Sequence, residues 1–251
     1  MPAKLLISDV DGCLCPEESA AWDLDVFGRL AHAARDAASS TGAIAPLTLC
    51  TGRPQPYVEV LMKVFDIRLP AICENGAVIY SLADNAATFG PGVTARKLAG
   101  LHAVRDYIED HLLPKAPGVV RQYGKEAQLS LYSATPDRLR TLDEAIHLFI
   151  EREGLPPLVI NASHYYLNIS LEGVDKGGAV AWLLGKLGVE KHEAVGIGDT
   201  EGDLPLRANV GFFACPANAQ ASIRNVADYV SPFPTGEGVL DILQRPECAR
   251  G

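Results

Sequence analysis

Short apolar runs alternate with helical stripes at both ends of this chain, and that alternation admits little besides a parallel sheet with helices on its two faces. Leu5–Asp9 predicts a strand, and Phe27, Leu30, Ala31 and Ala34 follow the i, i+3, i+4, i+7 spacing of an amphipathic helix. Pro46–Cys50 predicts a second strand, Val58, Leu61, Met62 and Phe65 a second helix, and Ala71–Cys73 a short third strand. The pattern resumes after Lys176. Val180, Leu183, Leu184 and Leu187 make a helical stripe ending at Gly188, and Ala194–Ile197, Val210–Phe213 and Asp228–Val230 predict strands. In such sheets the ligand site lies beyond the carboxyl ends of the strands.

Polar chemistry gathers at those ends. The first strand delivers Asp9 and Asp11, one residue apart, into a turn at Gly12. Residues i and i+2 of an extended segment point the same way, so the two carboxylates are expected to share a site. Like charges that close need a cation or a proton between them, and Mg²⁺ with oxygen ligands meets the need. The second strand ends in Thr51-Gly52-Arg53. A later strand ends in Gly198-Asp199-Thr200-Glu201-Gly202-Asp203. Lys176 opens a helix after Gly173-Val174-Asp175, where a cation opposes the helix dipole; a bound anion would explain the mismatch.

Between the two halves the pattern changes. Thr94–Leu113 predicts a helix and Gln122–Ser133 a hairpin turning at Gly124-Lys125. Thr135-Pro136 starts another helix, with Leu139, Leu142, Ile146, Phe149 and Ile150 as its apolar face, and Pro157–Ala162 with Tyr166–Leu171 predicts a second hairpin. This αββαββ segment reads as an antiparallel sheet with helices on one face. It divides the chain into residues 1–84, 85–172 and 173–251, with Gly90-Pro91-Gly92 and Gly173 as linkers. Leu129 and Leu131 alternate with Gln128 and Ser130, and Leu167, Ile169 and Leu171 with Asn168 and Ser170. One set is expected beneath the helices and the polar set on the other face.

Composition narrows the function classes. A net charge of −9 over 251 residues argues against nucleic acid as partner, because phosphate backbones need a basic footprint. No apolar run approaches membrane-spanning length, and the first residues carry no signal-peptide pattern. Cys13, Cys15, Cys50, Cys73, Cys215 and Cys248 show no CxxC or zinc-type spacing, so free thiols in a reducing cytoplasm are expected. The sequons at Asn161-Ala162-Ser163 and Asn168-Ile169-Ser170 are read as chance in that setting.

Acid pair, hydroxyl, lysine and second acid pair, in that order, resemble the four motifs of the haloacid dehalogenase (HAD) superfamily. Glu74-Asn75-Gly76-Ala77 and Cys215-Pro216-Ala217-Asn218-Ala219 further resemble its Cof-type, sucrose-phosphatase-like branch, subfamily IIB. The resemblance implies a Rossmann-like α/β core carrying an inserted C2B cap. It also implies a Mg²⁺-dependent phosphatase acting on a small phosphorylated metabolite, either a sugar phosphate or a short acid such as phosphoglycolate. Phosphate-ester hydrolysis needs charge neutralisation, in-line holding of the phosphoryl group and protonation of the leaving oxygen. Asp9 is then the expected nucleophile, forming an aspartyl-phosphate, and Asp11 the general acid. Asp9, Asp11 (through its carbonyl), Asp199 and Asp203 are the expected metal group, and Thr51, Gly52 and Lys176 the phosphate donors. Arg53, Asn75, Gln128, Ser130, Asn168 and Ser170, with Arg121 and His164 beside them, are candidates to touch the leaving group. Two departures from the family pattern stand out: Cys13 replaces a threonine, and Gly202 an asparagine. A phosphomutase on the same core, and a non-catalytic metabolite-binding regulator, are the alternatives. The intact acid and lysine set disfavours the regulator.

Overall fold

The computed structural model of the chain describes residues 2–16, 20–162 and 165–251; Ser163 and His164, named above, lie outside these. Two compact units emerge, one running through Thr88 and resuming over Asp175–Gly251, the other Phe89–Val174.

In the first unit β1 (Leu5–Ser8), α1 (Leu24–Ala38), β2 (Leu47–Leu49), α2 (Gln55–Phe65) and β3 (Ala71–Cys73) follow one another as the alternation predicts. α1 starts where Asp23 caps the amides of Asp25 and Val26, and α2 ends at Asp66 in a left-handed conformation, φ 54°. The hairpin β4 (Val78–Ser81) and β5 (Ala86–Phe89) was not anticipated. β5 is exposed along its whole length, so it carries no apolar alternation to read. This hairpin carries the first boundary to Thr88, four residues beyond the expected position.

The second unit holds α3 (Ala95–Tyr107), β6 (Val119–Arg121), β7 (Gln128–Ser133), α4 (Pro136–Glu153), β8 (Leu158–Ala162) and β9 (Tyr166–Leu171). α3 does not reach Leu113 as a regular helix. It widens at Ile108–Leu112, where the Leu113 amide reaches back to the Ile108 carbonyl, and finishes in a tight turn at Leu113–Lys115. The four strands form an antiparallel sheet ordered β6-β7-β9-β8. Leu129, Leu131, Leu167, Ile169 and Leu171 are buried, and α3 and α4 both pack on β7 and β9.

The chain then returns to the first unit with α5 (Lys176–Leu187), β10 (Ala194–Ile197), α6 (Leu204–Arg207), β11 (Phe212–Cys215), α7 (Ala221–Arg224), β12 (Tyr229–Val230) and α8 (Thr235–Leu243). The sheet order is β12-β11-β10-β1-β2, all parallel. β3 continues it through a parallel bridge between Cys50 and Ile72. β11 starts two residues later than expected, after Gly211, whose amide donates to the Ala194 carbonyl of β10 at 3.0 Å. Leu6 packs into a core with α1, α2 and α8, while Leu5 and Ile7 pack into a second core with α5, Leu206 and Ile223. All three are fully buried. That is why β1 is continuously apolar: each face of the sheet is covered.

Candidate active site

β1 ends at Ser8, and Asp9 is the first residue past it, its amide still in the ladder with the Ile197 carbonyl at 2.9 Å. Its carboxylate is thereby fixed at the sheet's edge. Oδ1 accepts the Val10 amide at 2.8 Å, and Oδ2 pairs with Lys176 Nζ at 3.0 Å. Lys176 is the first residue of α5, behind Asp175, whose side chain caps the Gly178 amide. Its ammonium also donates to Asp203 Oδ1 at 2.6 Å. Asp203 Oδ2 accepts the amides of Asp199 and Thr200 at 2.9 and 3.1 Å, so this carboxylate orients the Asp199 loop and Lys176 together.

Asp199 is packed against the turn after β1. Gly12 has φ +74°, and a Cβ there would stand 2.0 Å from Asp199 Oδ2, so only glycine fits both the backbone and the space. Cys13, where the family pattern has threonine, still points at the same carboxylate, its Sγ 3.7 Å from Oδ1.

Asp9, Asp199, Asp203 and Lys176 are each at most 6 % exposed. One carboxylate oxygen from each of Asp9, Asp199 and Asp203 lies within 4.8 Å of the others. Asp9 and Asp203 pair with the one ammonium and Asp199 lies beside them, so the buried site holds more acids than bases. Burial raises the Asp9 pKa to about 7, with Lys176 opposing and Asp203 adding to the rise. For Lys176 burial acts downward, but Asp203 and Asp9 outweigh it and hold the ammonium protonated. This donor set, hard oxygens with excess negative charge, fits a divalent cation such as Mg²⁺.

The structure separates Asp11 from the three-acid cluster. The chain leaves the extended conformation after Asp9, so the side-by-side arrangement expected of residues i and i+2 does not persist. The Asp11 carboxylate is instead held by Arg53: Nε donates to Oδ2 at 2.7 Å and Nη2 to Oδ1. The guanidinium lies over the Tyr57 ring, 4.9 Å from its centroid.

Thr51 is fully buried. Its Oγ1 accepts the Arg53 amide at 3.1 Å and its carbonyl accepts the Asn75 amide at 3.0 Å. Asn75 stands against Gly52, where an added Cβ would lie 3.1 Å from the amide side chain. Glu74 and Asn75 both have positive φ, 50° and 54°, an uncommon pair for non-glycine residues. Gly76 follows with φ +103°, and a Cβ on it would be 2.2 Å from the Asp175 carbonyl. The strained turn thus braces Thr51 on one side and the residue before Lys176 on the other.

Two positioning residues escaped sequence reasoning. Asn218 Nδ2 donates to the Gly12 carbonyl at 2.9 Å while its Oδ1 accepts the Thr235 amide at 2.7 Å. The Gln220 amide donates to the Asp199 carbonyl at 2.8 Å. Both sit in the loop after β11, Asn218 inside the stretch that resembles the Cof-type branch and Gln220 one residue beyond it.

Gln128, Ser130, Asn168 and Ser170 are brought together in the second unit. Gln128 is opposite Ser170 and Ser130 opposite Asn168. Gln128 Nε2 donates to Ser170 Oγ at 3.3 Å and Ser130 Oγ to Asn168 Oδ1 at 2.6 Å. Lys125 Nζ donates to Ser130 Oγ at 2.8 Å and Gln128 Oε1 at 3.3 Å. Gln128 and Ser130 are buried rather than open to water. Arg121 is committed to Glu109.

The sequence profile of the haloacid dehalogenase-like hydrolases matches residues 6–92 and 126–243. The phosphoglycolate phosphatase of Thermoplasma volcanium is 35% identical over 242 residues, covering 96% of each chain. That of Methanospirillum hungatei is 36% identical over 88 residues, an alignment spanning 35% of this chain and 38% of that protein. A crystal structure from Thermoplasma acidophilum shares the fold with a TM-score of 0.75 at 24% identity, covering 99% of this chain and 100% of that one.

Proposed function

The chain belongs to the haloacid dehalogenase-like hydrolases, among their phosphatases, and from that premise we propose that it hydrolyses a short phosphorylated acid of the phosphoglycolate type, with Mg²⁺, through an aspartyl-phosphate on Asp9. The observation that carries the reading is the buried cluster of Asp9, Asp199 and Asp203, two of whose members pair with Lys176. The names of the two phosphatase relatives support the substrate class.

Asp9 attacks phosphorus as the ester bond breaks, and Asp11 delivers a proton to the departing oxygen. Water then attacks the aspartyl-phosphate, Asp11 takes its proton, and phosphate leaves with Asp9 restored. Thr51 and Lys176 donate to the phosphoryl oxygens, with the Gly52 backbone beside them. Asp9, Asp199 and the Asp11 carbonyl would hold the metal, with Asp203 orienting Lys176 and the Asp199 loop. Mg²⁺, when bound, would supply positive charge to offset that of the carboxylates and the phosphoryl group. Phosphate release from a panel of phosphorylated metabolites, with Mg²⁺ and with a chelator, tests the proposal. Release that persists undiminished in chelator, or a panel on which nothing is turned over, would sink it.

The metal should also couple to pH. With Asp9 raised from 3.8 to about 7, the ion-free fold holds a proton that the unfolded chain releases, so its stability falls as pH rises across that interval. Mg²⁺ must displace the proton below about pH 7. The rise in Tm on adding Mg²⁺ is therefore expected to be small at about pH 6 and much larger at about pH 8. Equal shifts at the two pH values would contradict the site.

Gly202 is exposed and not in the left-handed region, and a Cβ there meets only Thr200 Oγ1, at 3.4 Å. Gly202→Asn is thus accommodated, and a restored polar side chain beside the metal group is expected to tighten Mg²⁺ by up to about tenfold. Titration of activity with Mg²⁺ measures it; weaker binding in the variant would count against a metal-supporting role for that position.

A further inference from the structure

We infer that Arg53 is the residue that reads the carboxylate of the substrate, and that its grip on Asp11 is a resting state which the substrate's carboxylate exchanges. The inference rests on the phosphatase reading above. The fork of Arg53 already binds a carboxylate edge-on with two nitrogens, that of Asp11, and such two-point pairing discriminates carboxylates from hydroxyls.

The residue is anchored at the phosphate site. Its amide donates to Thr51 Oγ1 at 3.1 Å and its carbonyl accepts the Glu74 amide at 3.1 Å. Pro54 follows and α2 begins at Gln55, so the backbone has no freedom to withdraw. Tyr57 covers one face of the guanidinium and leaves its edges as the binding surface. Among the described residues the pair is also the exposed part of this constellation: the Arg53 and Asp11 side chains are 37% and 21% exposed, against 4% and 9% for Lys176 and Asp9. An incoming molecule reaches it without disturbing the buried acids.

Distance selects the length of the acid. A general acid works within about 2.6–3.2 Å of the oxygen it protonates. In a phosphorylated two-carbon acid one methylene separates that oxygen from the carboxyl carbon, which puts the carboxylate roughly 3 Å away. Arg53 Nε is 2.7 Å from Asp11 Oδ2. A substrate whose ester oxygen faces Asp11 therefore brings its own carboxylate within reach of the same fork. The exchange turns Arg53 to the substrate and frees the Asp11 side chain to take a proton from solvent and deliver it to the leaving oxygen. A sugar offers only hydroxyls there and leaves Arg53 on Asp11.

Steady-state kinetics on two two-carbon esters tests this: 2-phosphoglycolate, and 2-hydroxyethyl phosphate, which has a hydroxymethyl group in place of the carboxylate. Wild type is expected to prefer the acid. In Arg53→Gln the ratio of kcat/KM for the acid over that for the neutral ester should fall roughly 10- to 100-fold, mainly through KM. Arg53→Lys, which keeps charge but loses the fork, should fall between. Asp11→Asn removes the resting partner, so KM for the acid should drop relative to KM for the neutral ester even as kcat falls. If both Arg53 variants lose the two esters equally, Arg53 only positions Asp11 and the inference is overturned while the phosphatase reading stands. If wild type itself is indifferent to the carboxylate, the acid-substrate reading fails and the inference with it.

Discussion

Asp9→Asn is expected to lose turnover by on the order of 10⁴-fold or more while the metal-free protein becomes more thermostable. The amide keeps the shape of the side chain but cannot attack phosphorus. The stability gain comes from the same cluster. Asp9 and Asp203 share one ammonium with Asp199 close by, and burial opposes ionisation of Asp9 strongly enough to bring its pKa to about 7. Removing one carboxylate relieves that excess, and Lys176 keeps its partner in Asp203 at 2.6 Å. Thermal melts in chelator at about pH 8, where wild-type Asp9 is ionised, should place the variant above wild type. A rate within tenfold of wild type would exclude covalent catalysis at Asp9. A clear fall in Tm would mean that the acid cluster is not electrostatically overloaded.

Lys176→Met should have the largest cost in stability. The side chain is 4% exposed, and its ammonium is the partner of Asp9 and Asp203. Taking one member from a buried ion pair leaves uncompensated charge, typically at a cost of about 3–5 kcal/mol. For a domain of this size that is roughly a 10 °C fall in Tm. Mg²⁺ should recover more of the loss than it adds to wild type, because the variant has more negative charge to neutralise. Activity should fall as well, since on the proposed reading only Thr51 and the Gly52 backbone are left to hold the phosphoryl oxygens. A variant as stable as wild type in chelator would mean that the ion pairs contribute nothing net.

Much of the first unit was legible because its signals are local. The stripe of Val58, Leu61, Met62 and Phe65 is buried along α2 as its spacing demands, and Leu5, Leu6 and Ile7 are buried on alternate faces. Gly188 ends α5 in the left-handed conformation. The hairpin of β4 and β5 was invisible because β5 buries nothing, and pairing of an exposed strand leaves little trace in composition. Asn218 and Gln220 were missed for a different reason. Each acts by a hydrogen bond to a backbone carbonyl distant in the chain, Gly12 and Asp199, and no residue pattern encodes which carbonyl an amide will meet.

By itself the sequence determined which residues stand at the strand ends and in what order, since apolar run length and helical period set the elements and a parallel sheet brings their carboxyl ends to one edge. Only the tertiary structure decided how the charges are partnered. Asp9 and Asp11, with only Val10 between them, part company: one is buried with Lys176 and Asp203, the other is held by Arg53 at the more exposed margin. Periodicity sets the direction of a side chain only while the backbone stays extended, and it turns after Asp9. Beyond that point the partner of each charge is set by packing, by the space Gly12 leaves for the Asp199 carboxylate and the strained turn that braces Thr51 against Asp175.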